Sequence, residues 1–305
     1  CLKAIFNSKE HIQEVIVVDD KSTDRTIELV RQFPCKIISL EKNKGPAYAR
    51  KIGLKEAISN IVVFIDSDIV VNKDTFSELS KAFSLYNDAV AIVGILSKES
   101  PHKNFFTQYK NLYMHYIFTR CPNQIDFIYG SFYAIKKGDY DFINFNKKYG
   151  EDSEFGMYLA RYGFKIILEK KIQVTHLKKY TFFSFIKNDF IIPFYWSRLF
   201  LQNKGYNIIK KQKRFLHSNR EQLLSVTLAP FVLVTLFFNK WITIILIIIQ
   251  SLVNIRFFLF LNNEKGLFFT LKSLIITWID WIIMSVGIMC GFCFFIIINI
   301  FKKFS

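Results

Sequence analysis

An apolar run that ends in two carboxylates places the strongest constraint on the fold of this chain. The run Ile61–Ile65 is followed by Asp66 and, after one residue, by Asp68. Apolar residues that are mostly β-branched predict a strand buried on both faces of a sheet. In open α/β sheets, ligands bind just outside the carboxyl ends of the strands. Two carboxylates at such a point favour a bound cation, because they are costly to desolvate together.

By itself, an Asp-x-Asp pair is a weak motif that also occurs where a strand ends in a polar turn. Mg²⁺ takes oxygen ligands and is commonly held by one or two carboxylates together with substrate phosphates. Asp66 and Asp68 are therefore candidate metal ligands. Their neighbours in the sequence decide between a metal site and a polar turn.

Strand-like and helix-like segments alternate from the start of the chain to about residue 96. The pattern predicts strands at 14–19, 36–40, 61–65 and 89–96, with amphipathic helices between them. Alternation of this kind is typical of a mostly parallel sheet that carries helices on its faces. The sequence therefore predicts an α/β fold for the first part of the chain.

The C-terminal part of the chain is strongly apolar. Apolar residues make up 51% of the 305 residues, and the excess collects after residue 222 in the runs Leu223–Phe238, Trp241–Ile255 and Leu274–Phe301. The last run exceeds the roughly 20 residues that span a bilayer, and the shorter runs are either short spans or a re-entrant hairpin. Asp280 in the last run is expected to pair with Lys272, to mark a polar path or to be tolerated beside a partner helix. We predict a membrane region with two to three transmembrane or re-entrant helices.

The positive charge of the chain also favours a membrane partner. The net charge is +16, and lysines border the aromatic segment 182–202. This segment predicts interfacial helices that contact anionic membrane lipids, with an ordinary amphipathic core helix as the alternative. Lysines and arginines ahead of residue 223 predict that the first domain lies on the cytoplasmic face of the membrane. No nucleic-acid-binding module is recognisable, so we expect no nucleic acid partner.

Further acidic and glycine-containing segments follow one another in a fixed order. They read Glu-Val-Ile-Val-Val-Asp-Asp-Lys-Ser-Thr-Asp (14–24), Asn-Lys-Gly-Pro-Ala-Tyr-Ala-Arg-Lys-Ile-Gly (43–53), Phe-Ile-Asp-Ser-Asp (64–68), Gly-Ser-Phe-Tyr-Ala-Ile (130–135) and Gly-Glu-Asp-Ser-Glu (150–154). In this order they resemble the family 2 glycosyltransferases, whose nucleotide-sugar-binding fold is called GT-A. The resemblance covers about residues 1–200, and the apolar tail resembles that of members acting on lipid-linked or membrane-delivered acceptors.

The resemblance implies roles for the acidic residues. Asp19 and Asp20 would bind the base and ribose of a nucleotide-sugar donor, because carboxylates accept hydrogen bonds from such groups. Asp66, as part of the donor site, and Asp68 would hold Mg²⁺ or Mn²⁺ on the diphosphate. Asp152 matches the catalytic base of the family. It would take the proton of an acceptor hydroxyl as that oxygen attacks the sugar in line and inverts the anomeric centre.

Other residues receive supporting roles from the same resemblance. Arg50 is expected to help bind the phosphates of the nucleotide-sugar. Gly130, Ser131 and Glu151 are expected to shape the acceptor side of the site. His176 either supplies a further metal or acceptor contact or is a structural histidine.

The chain departs from the family pattern in two places. Members begin with a strand and a Pro-x-x-x-Asn/Glu segment, whereas this chain begins within the helix that would follow, so the first strand is expected to be missing. The Gln-x-x-Arg-Trp box of the processive polysaccharide synthases is also not found, which argues against a processive polymerase. We predict a GT-A domain at 1–205, a basic linker at 206–222 and a membrane region at 223–305.

Together these features predict a membrane-attached, metal-dependent inverting glycosyltransferase. It would move a sugar from a nucleotide-sugar donor to a lipid-linked or saccharide acceptor near the membrane. Two alternatives stay open. A nucleotidyltransferase could use the same fold, although it would want a Gly-rich, basic loop after its first strand. A non-catalytic membrane scaffold could retain the fold, although the carboxylates Asp66, Asp68 and Asp152 speak against it.

Overall fold

A computed structural model of the chain describes residues 1–10, 12–138 and 150–304. Within these ranges the strands are β1 (Ile16–Asp19), β2 (Lys36–Ser39), β3 (Ile61–Ile65), β4 (Ile69–Val70), β5 (Ala89–Leu96), β6 (Gln124–Ile125), β7 (Phe132–Lys136) and β8 (Lys165–His176). The helices are α1 (Leu2–Phe6), α2 (Thr26–Val30), α3 (Pro46–Glu56), α4 (Thr75–Leu85), α5 (Phe105–Arg120), α6 (Glu151–Arg161), α7 (Phe182–Gln202), α8 (Gly205–Gln212), α9 (Arg220–Phe238), α10 (Lys240–Val253), α11 (Ile255–Lys265) and α12 (Leu267–Phe304). The strands predicted from the alternating pattern are present as β1, β2, β3 and β5.

By their packing, these residues form two compact units. The first unit, Cys1–Lys98 with Cys121–Lys178, contains every strand named above together with α1–α4 and α6. The second unit, Glu99–Arg120 with Lys179–Ser305, contains α5 and α7–α12. The ranges given above for a GT-A domain, a linker and a membrane region stay a prediction.

The larger sheet of the first unit is mixed. Its strand order is β3-β7-β5-β8-β4, with β6 also paired to β8. β5 and β8 pair in parallel, whereas β7 is antiparallel to β3 and β5, and β4 and β6 are antiparallel to β8. The predicted α/β fold class is confirmed, but the sheet is not mostly parallel. The alternation behind that expectation ends at β5, and the later strands β6 and β7 run antiparallel to the strands that they pair with.

β5 lies at the centre of this sheet because its sequence is apolar throughout. Every residue of Ala89–Leu96 is buried, as expected for a strand that is covered on both faces. Gly94 permits a close approach of its neighbours, since a Cβ there would lie 2.8 Å from Phe132 and 2.9 Å from Ile172. α4 packs against β5 and β8. The neighbouring strand β7 pairs with both β5 and β3.

β1 and β2 form a separate two-stranded parallel sheet, with Ile16 beside Lys36 and Asp19 beside Ser39. α3 packs against β1. Unlike the residues of β5, the apolar residues of β1 are only half-buried. The small sheet places Asp19 and Asp20 at the carboxyl end of β1.

In the second unit, α7 and α12 pack closely through two glycines of α12. A Cβ on Gly287 would lie 2.5 Å from the carbonyl oxygen of Phe190, and one on Gly291 would overlap Ser197 Oγ and the carbonyl oxygen of Phe194. Small residues allow membrane helices to approach in this way. The placement of α7 at a membrane interface stays a prediction.

Two helical segments of the second unit, Arg220–Phe238 and Leu267–Phe301, are long and apolar enough to cross a membrane. α10 and α11 meet at an angle of 65°. They add a third span if the bent pair crosses the membrane as one segment. The predicted number of two to three transmembrane or re-entrant helices agrees with this finding.

A polar cluster is buried among the helices of the second unit. Lys110 of α5 donates to Asp189 of α7 at 2.5 Å, and Asp280 of α12 lies within hydrogen-bonding reach of Asp189. The expected pairing of Asp280 with Lys272 is wrong, because the ammonium of Lys272 lies over the ring of Phe268, 4.3 Å from its centroid. Asp280 instead lies near Asp189 and Lys110 of partner helices.

Candidate active site

Arg50 joins three elements of the first unit at the candidate site. Its Nη2 donates to Asp66 Oδ1 at 2.9 Å, and its Nη1 donates to Glu151 Oε1 at 2.8 Å. Arg50 belongs to α3, Asp66 follows β3, and Glu151 opens α6. A planar guanidinium with several donors can serve two carboxylates at once, which an ammonium does less well. The side chains of Arg50 and Glu151 are only 12% and 11% exposed, so this ion pair is interior, whereas the side chain of Asp66 is 39% exposed.

Asp152 lies in the first turn of α6, beside this ion-pair network. Its Oδ2 accepts the N–H of Gly130 at 2.7 Å, and its Oδ1 accepts the N–H of Ser153 at 2.7 Å. A Cβ on Gly130 would lie 3.0 Å from both Asp152 Oδ2 and Arg50 Nη2. A glycine at this position therefore lets the chain before β7 pass close to the carboxylate and the guanidinium.

Gly130 and Ser131 lie in the turn before β7. The carbonyl oxygen of Ser131 accepts the N–H of Asp66 at 3.1 Å. The register of β3 and β7, with Ile65 beside Phe132, places this turn next to the carboxyl end of β3. The predicted acceptor residues Gly130, Ser131 and Glu151 thus lie together with Asp66.

The site holds more negative than positive charge. Burial raises the pKa of Asp66, the carboxylates of Asp68 and Asp152 act in the same direction, and Arg50 opposes them. Burial also raises the pKa of Glu151, with Asp152 adding to the effect and Arg50 opposing it. One guanidinium does not offset these carboxylates, so an additional cation would stabilise their ionised forms.

Asp68, like Asp66, lies just beyond the carboxyl end of β3. His176 Nε2 lies 3.1 Å from Asp68 Oδ2, and this hydrogen bond is the main cause of the lowered pKa of Asp68. The pairing of Ile69 with His176 in β4 and β8 brings the histidine to this position. His176 was a sequence candidate for either a ligand or a structural role, and in the structure its ring orients the Asp68 carboxylate.

Asp66 and Asp68 fit a divalent cation as two hard oxygen donors. Arg50 engages only one oxygen of Asp66, and His176 engages only one oxygen of Asp68. The raised pKa of Asp66 indicates a carboxylate whose burial is not fully offset by positive charge. Within residues 1–10, 12–138 and 150–304, no group of three or more His, Cys, Asp or Glu side chains forms a complete metal site. The remaining ligands would then come from a diphosphate and from water, as is usual for Mg²⁺.

Asp19 and Asp20 lie at the carboxyl end of β1 and bind main-chain donors. Both oxygens of buried Asp19 accept the N–H of Ser22, at 3.2 and 3.3 Å. Asp20 Oδ1 accepts the N–H of Lys44 and Oδ2 accepts the N–H of Gly45, each at 2.7 Å. Asp20 therefore fixes the loop before α3, where Gly45 has a φ of 87°. Nucleotide contacts of Asp19 and Asp20 stay a prediction.

Two tyrosines of the site were not singled out by sequence reasoning. Tyr133 of β7 stacks on Phe64, with ring centroids 4.8 Å apart, and burial raises its pKa. Burial also raises the pKa of Tyr129, whose hydroxyl is hydrogen-bonded to Ser131. The only signal in the sequence is that both tyrosines flank Gly130 and Ser131, and such flanking aromatics usually indicate a core strand.

Residues 1–143 match the family model described as Glycosyl transferase family 2. The poly(ribitol-phosphate) beta-N-acetylglucosaminyltransferase TarS of Staphylococcus aureus is 33% identical over 100 residues, which cover 30% of this chain and 18% of that protein. An uncharacterized glycosyltransferase of Haemophilus influenzae is 36% identical over 98 residues, which cover 30% of this chain and 38% of that protein. The matches thus span well under half of the length of these relatives.

Among solved structures, the mannosyltransferase PcManGT from Pyrobaculum calidifontis, in complex with GDP-Man and Mn2+, has a similar fold. The TM-score is 0.54 at 14% sequence identity, over 95% of this chain and 80% of that chain. Likeness at this identity establishes the fold alone, which is GT-A. Residues 1–143 match the family 2 glycosyltransferases, so the resemblance predicted from the motifs is confirmed.

Proposed function

We propose that the chain is a membrane-attached, metal-dependent inverting glycosyltransferase. It moves a sugar from a nucleotide-sugar donor to a lipid-linked or membrane-proximal acceptor. The observation that carries this proposal is the arrangement around Arg50, which gathers Asp66, Glu151 and the turn at Gly130 beside Asp152. A base, a candidate metal site and an anchored loop then lie within one unit of a GT-A fold.

Asp152 acts as the general base in this proposal. Two main-chain N–H groups hold its carboxylate in one orientation, and each carboxylate oxygen keeps lone-pair capacity for a proton. The acceptor hydroxyl gives its proton to Asp152 while its oxygen attacks the anomeric carbon and the bond to the diphosphate breaks. Attack on the face opposite the leaving group inverts the anomeric centre. Arg50 fixes Glu151, the residue before Asp152, so that the base does not drift from the reacting oxygen.

The donor binds at the carboxyl ends of β1 and β3. Asp19 and Asp20 accept hydrogen bonds from the base and ribose, and Asp66 together with Asp68 would hold Mg²⁺ or Mn²⁺. The bound metal would neutralise charge that builds on the leaving nucleoside diphosphate. Support comes from the surplus of carboxylates at the site and from the mannosyltransferase of similar fold, which was solved with GDP-Man and Mn2+.

The apolar helices of the second unit attach the enzyme to a membrane, and the catalytic domain faces the cytoplasm. Two segments of sufficient length and hydropathy support attachment, and the basic residues ahead of residue 223 support this orientation. A membrane-bound enzyme meets lipid-linked acceptors at high local concentration, so an acceptor of this class is proposed over a soluble sugar.

The proposal is tested with the purified full chain in detergent. The chain is incubated with each of several sugar nucleotides and with Mg²⁺, Mn²⁺ or a chelator, and nucleoside diphosphate release is measured. We expect metal-dependent release that Asp152→Asn suppresses while nucleotide binding is kept. Binding without turnover on any donor would instead support a non-catalytic scaffold, and release of pyrophosphate would support a nucleotidyltransferase.

A further inference from the structure

Three ionisable side chains are buried together among the helices of the second unit. Lys110 of α5 is 7% exposed, and Asp189 of α7 and Asp280 of α12 are each 1% exposed. Lys110 donates to Asp189 Oδ1 at 2.5 Å, and Asp280 lies near both residues. Buried charges are costly unless they are paired. One ammonium offsets one carboxylate, so the second carboxylate needs a further positive charge. We name these three residues the charge cluster.

The contact between the two carboxyl groups has the same requirement. Asp189 and Asp280 lie within hydrogen-bonding reach of each other. An ionised carboxylate only accepts hydrogen bonds, so two ionised carboxylates cannot bond to each other. In the part of the chain that the structure describes, no donor reaches Asp189 Oδ2 or Asp280 Oδ1. One oxygen of each carboxyl group is therefore available to a ligand that both can hold.

A tyrosine hydroxyl gives a second indication of a ligand at this place. Tyr113 of α5 is 5% exposed, and its hydroxyl has no hydrogen-bond partner among the described residues. Asp280 is the charged group that acts most strongly on the hydroxyls of Tyr113 and Tyr109. The Tyr109 hydroxyl is already hydrogen-bonded to Thr277 Oγ1, at 2.9 Å. The Tyr113 hydroxyl thus faces the Asp280 carboxyl group with its hydrogen-bonding capacity unused.

The nearest histidine does not supply the missing positive charge. His217 lies between α8 and α9, near Lys110 and Asp189. Burial lowers the pKa of His217 to about 3, and the charges of Lys110 and Arg214 add to the effect. Its ring is therefore neutral near neutral pH. Arg214 acts on His217, whereas the charges that act on Asp280 are those of Asp189 and Lys110.

We propose that Asp189 and Asp280 bind one proton between them, which makes the charge cluster neutral as a whole. The proton forms an O–H bond on one carboxyl group and a hydrogen bond to the other, and Lys110 stays charged beside them. A metal cation suits the site less well, because the Lys110 ammonium repels it and few oxygen ligands are present. The proton links α7 to α12, and Lys110 links α5 to α7, so the packing of three helices depends on it.

Infrared absorption of the purified full chain in detergent counts the neutral carboxyl groups near neutral pH. Asp280→Asn and Asp189→Asn should each remove one C=O band of a neutral carboxylic acid, because Lys110 balances the remaining carboxylate. Lys110→Met should instead raise that absorption about twofold, because both buried carboxyl groups are then neutral. Glu221→Gln, at a half-exposed carboxylate of the same unit that pairs with Arg120, is the control and should leave the band unchanged.

The wild-type chain provides a measurement that does not depend on how the variants fold. Labelling the side-chain carboxyl carbons of aspartate with ¹³C should shift a neutral-acid band of the wild-type chain. If no band shifts, no aspartic acid is neutral and the proposal is overturned.

The proton should also make the stability of the fold depend on pH. A proton that is held in the folded chain and released on unfolding stabilises the fold, and this stabilisation is lost as pH rises. The unfolding temperature should therefore fall more steeply from neutral to alkaline pH in the wild-type chain than in Asp280→Asn. The amide of Asn at this position donates to Asp189 at every pH. Glu221→Gln should follow the wild-type curve.

Two further results would overturn the proposal. The first is the same pH slope in the wild-type chain and in Asp280→Asn. The second is an unfolding temperature that Na⁺ or K⁺ raises in the wild-type chain but not in Asp280→Asn, which would assign the site to a metal cation. None of these readouts needs sugar transfer, so the proton site and the enzymatic proposal fail independently.

Discussion

The two ends of the candidate site are held in different ways. At one end, Arg50 fixes Asp66 and Glu151 by ion pairs, and Arg50 and Glu151 are 101 residues apart in the chain. At the other end, Asp19 accepts the main-chain N–H of Ser22, and Asp20 accepts main-chain N–H groups from the loop before α3. The Arg50 end depends on tertiary packing, whereas the Asp20 end depends on loop geometry. A change at the first end should therefore have larger and more global effects.

The largest effect is expected for Asp152→Asn, which keeps the shape of the base and removes its basicity. If the acceptor is a hydroxyl, the rate of sugar transfer should fall by about 10²–10⁴-fold, because a positioned base contributes that much. Nucleotide binding, measured by thermal shift, should survive, since Asp152 lies at the Arg50 end of the site.

The same variant reports the acceptor class. A lipid phosphate attacks with an oxygen that is already anionic, so its transfer should be less affected and nearly independent of pH between about 6 and 8. Full activity of Asp152→Asn on hydroxyl and phosphate acceptors alike would remove Asp152 from the mechanism.

The second prediction concerns Arg50→Gln, which leaves Asp66 and Glu151 without their cation. Removal of one partner from a buried ion pair typically costs about 3–5 kcal/mol of folding free energy. We expect a loss of this order in the free energy of unfolding, measured by chemical denaturation of the detergent-solubilised chain. Lys36→Gln, at the exposed pair with Glu56, is the control and should cause no measurable loss.

The loss in Arg50→Gln should depend on pH. Burial raises the pKa of Asp66 and of Glu151, and removal of Arg50 raises both further. A carboxyl whose pKa is higher in the folded state favours folding when protonated, so this stability is lost as pH rises through the folded pKa. The deficit should therefore be smaller near pH 5 than near pH 7.5. An equal loss of unfolding free energy at both pH values would show that Asp66 and Glu151 do not cause the loss.

The two ends also differ in how far they could be predicted from sequence. Asp66 and Asp68 follow an apolar run, and Asp152 follows a glycine at the start of a helix, so local pattern was sufficient to single them out. The partnership of Arg50 with Glu151 has no local signal, because the strand order that joins them is a tertiary property. The same holds for His176, which reaches Asp68 only through the pairing of β8 with the two-residue strand β4.

The third prediction tests whether a cation binds at the carboxyl end of β3. Asp68→Asn should lower nucleotide-sugar affinity about 10–100-fold when Mg²⁺ or Mn²⁺ is present and change it little with a chelator. Isothermal titration with and without metal measures both values. Asp74→Asn, at an exposed aspartate that pairs with Lys9, is the matched control. An unchanged metal dependence in Asp68→Asn would contradict the assignment of Asp68 as a ligand.

The smallest effect is expected at the Asp20 end, for Asp20→Asn. The side chain keeps one carbonyl oxygen and gains an N–H₂ group, so it can accept from Lys44 or Gly45 but not from both. The loss should be about 1 kcal/mol of folding free energy, because one hydrogen bond is lost in a half-open loop. Hydrogen exchange should quicken at the Lys44 and Gly45 amides while β5 amides are unaffected. Asp24→Asn, in the neighbouring exposed turn, should leave the Lys44 and Gly45 amides unchanged, and equal acceleration in both variants would mean that Asp20 does not fix this loop.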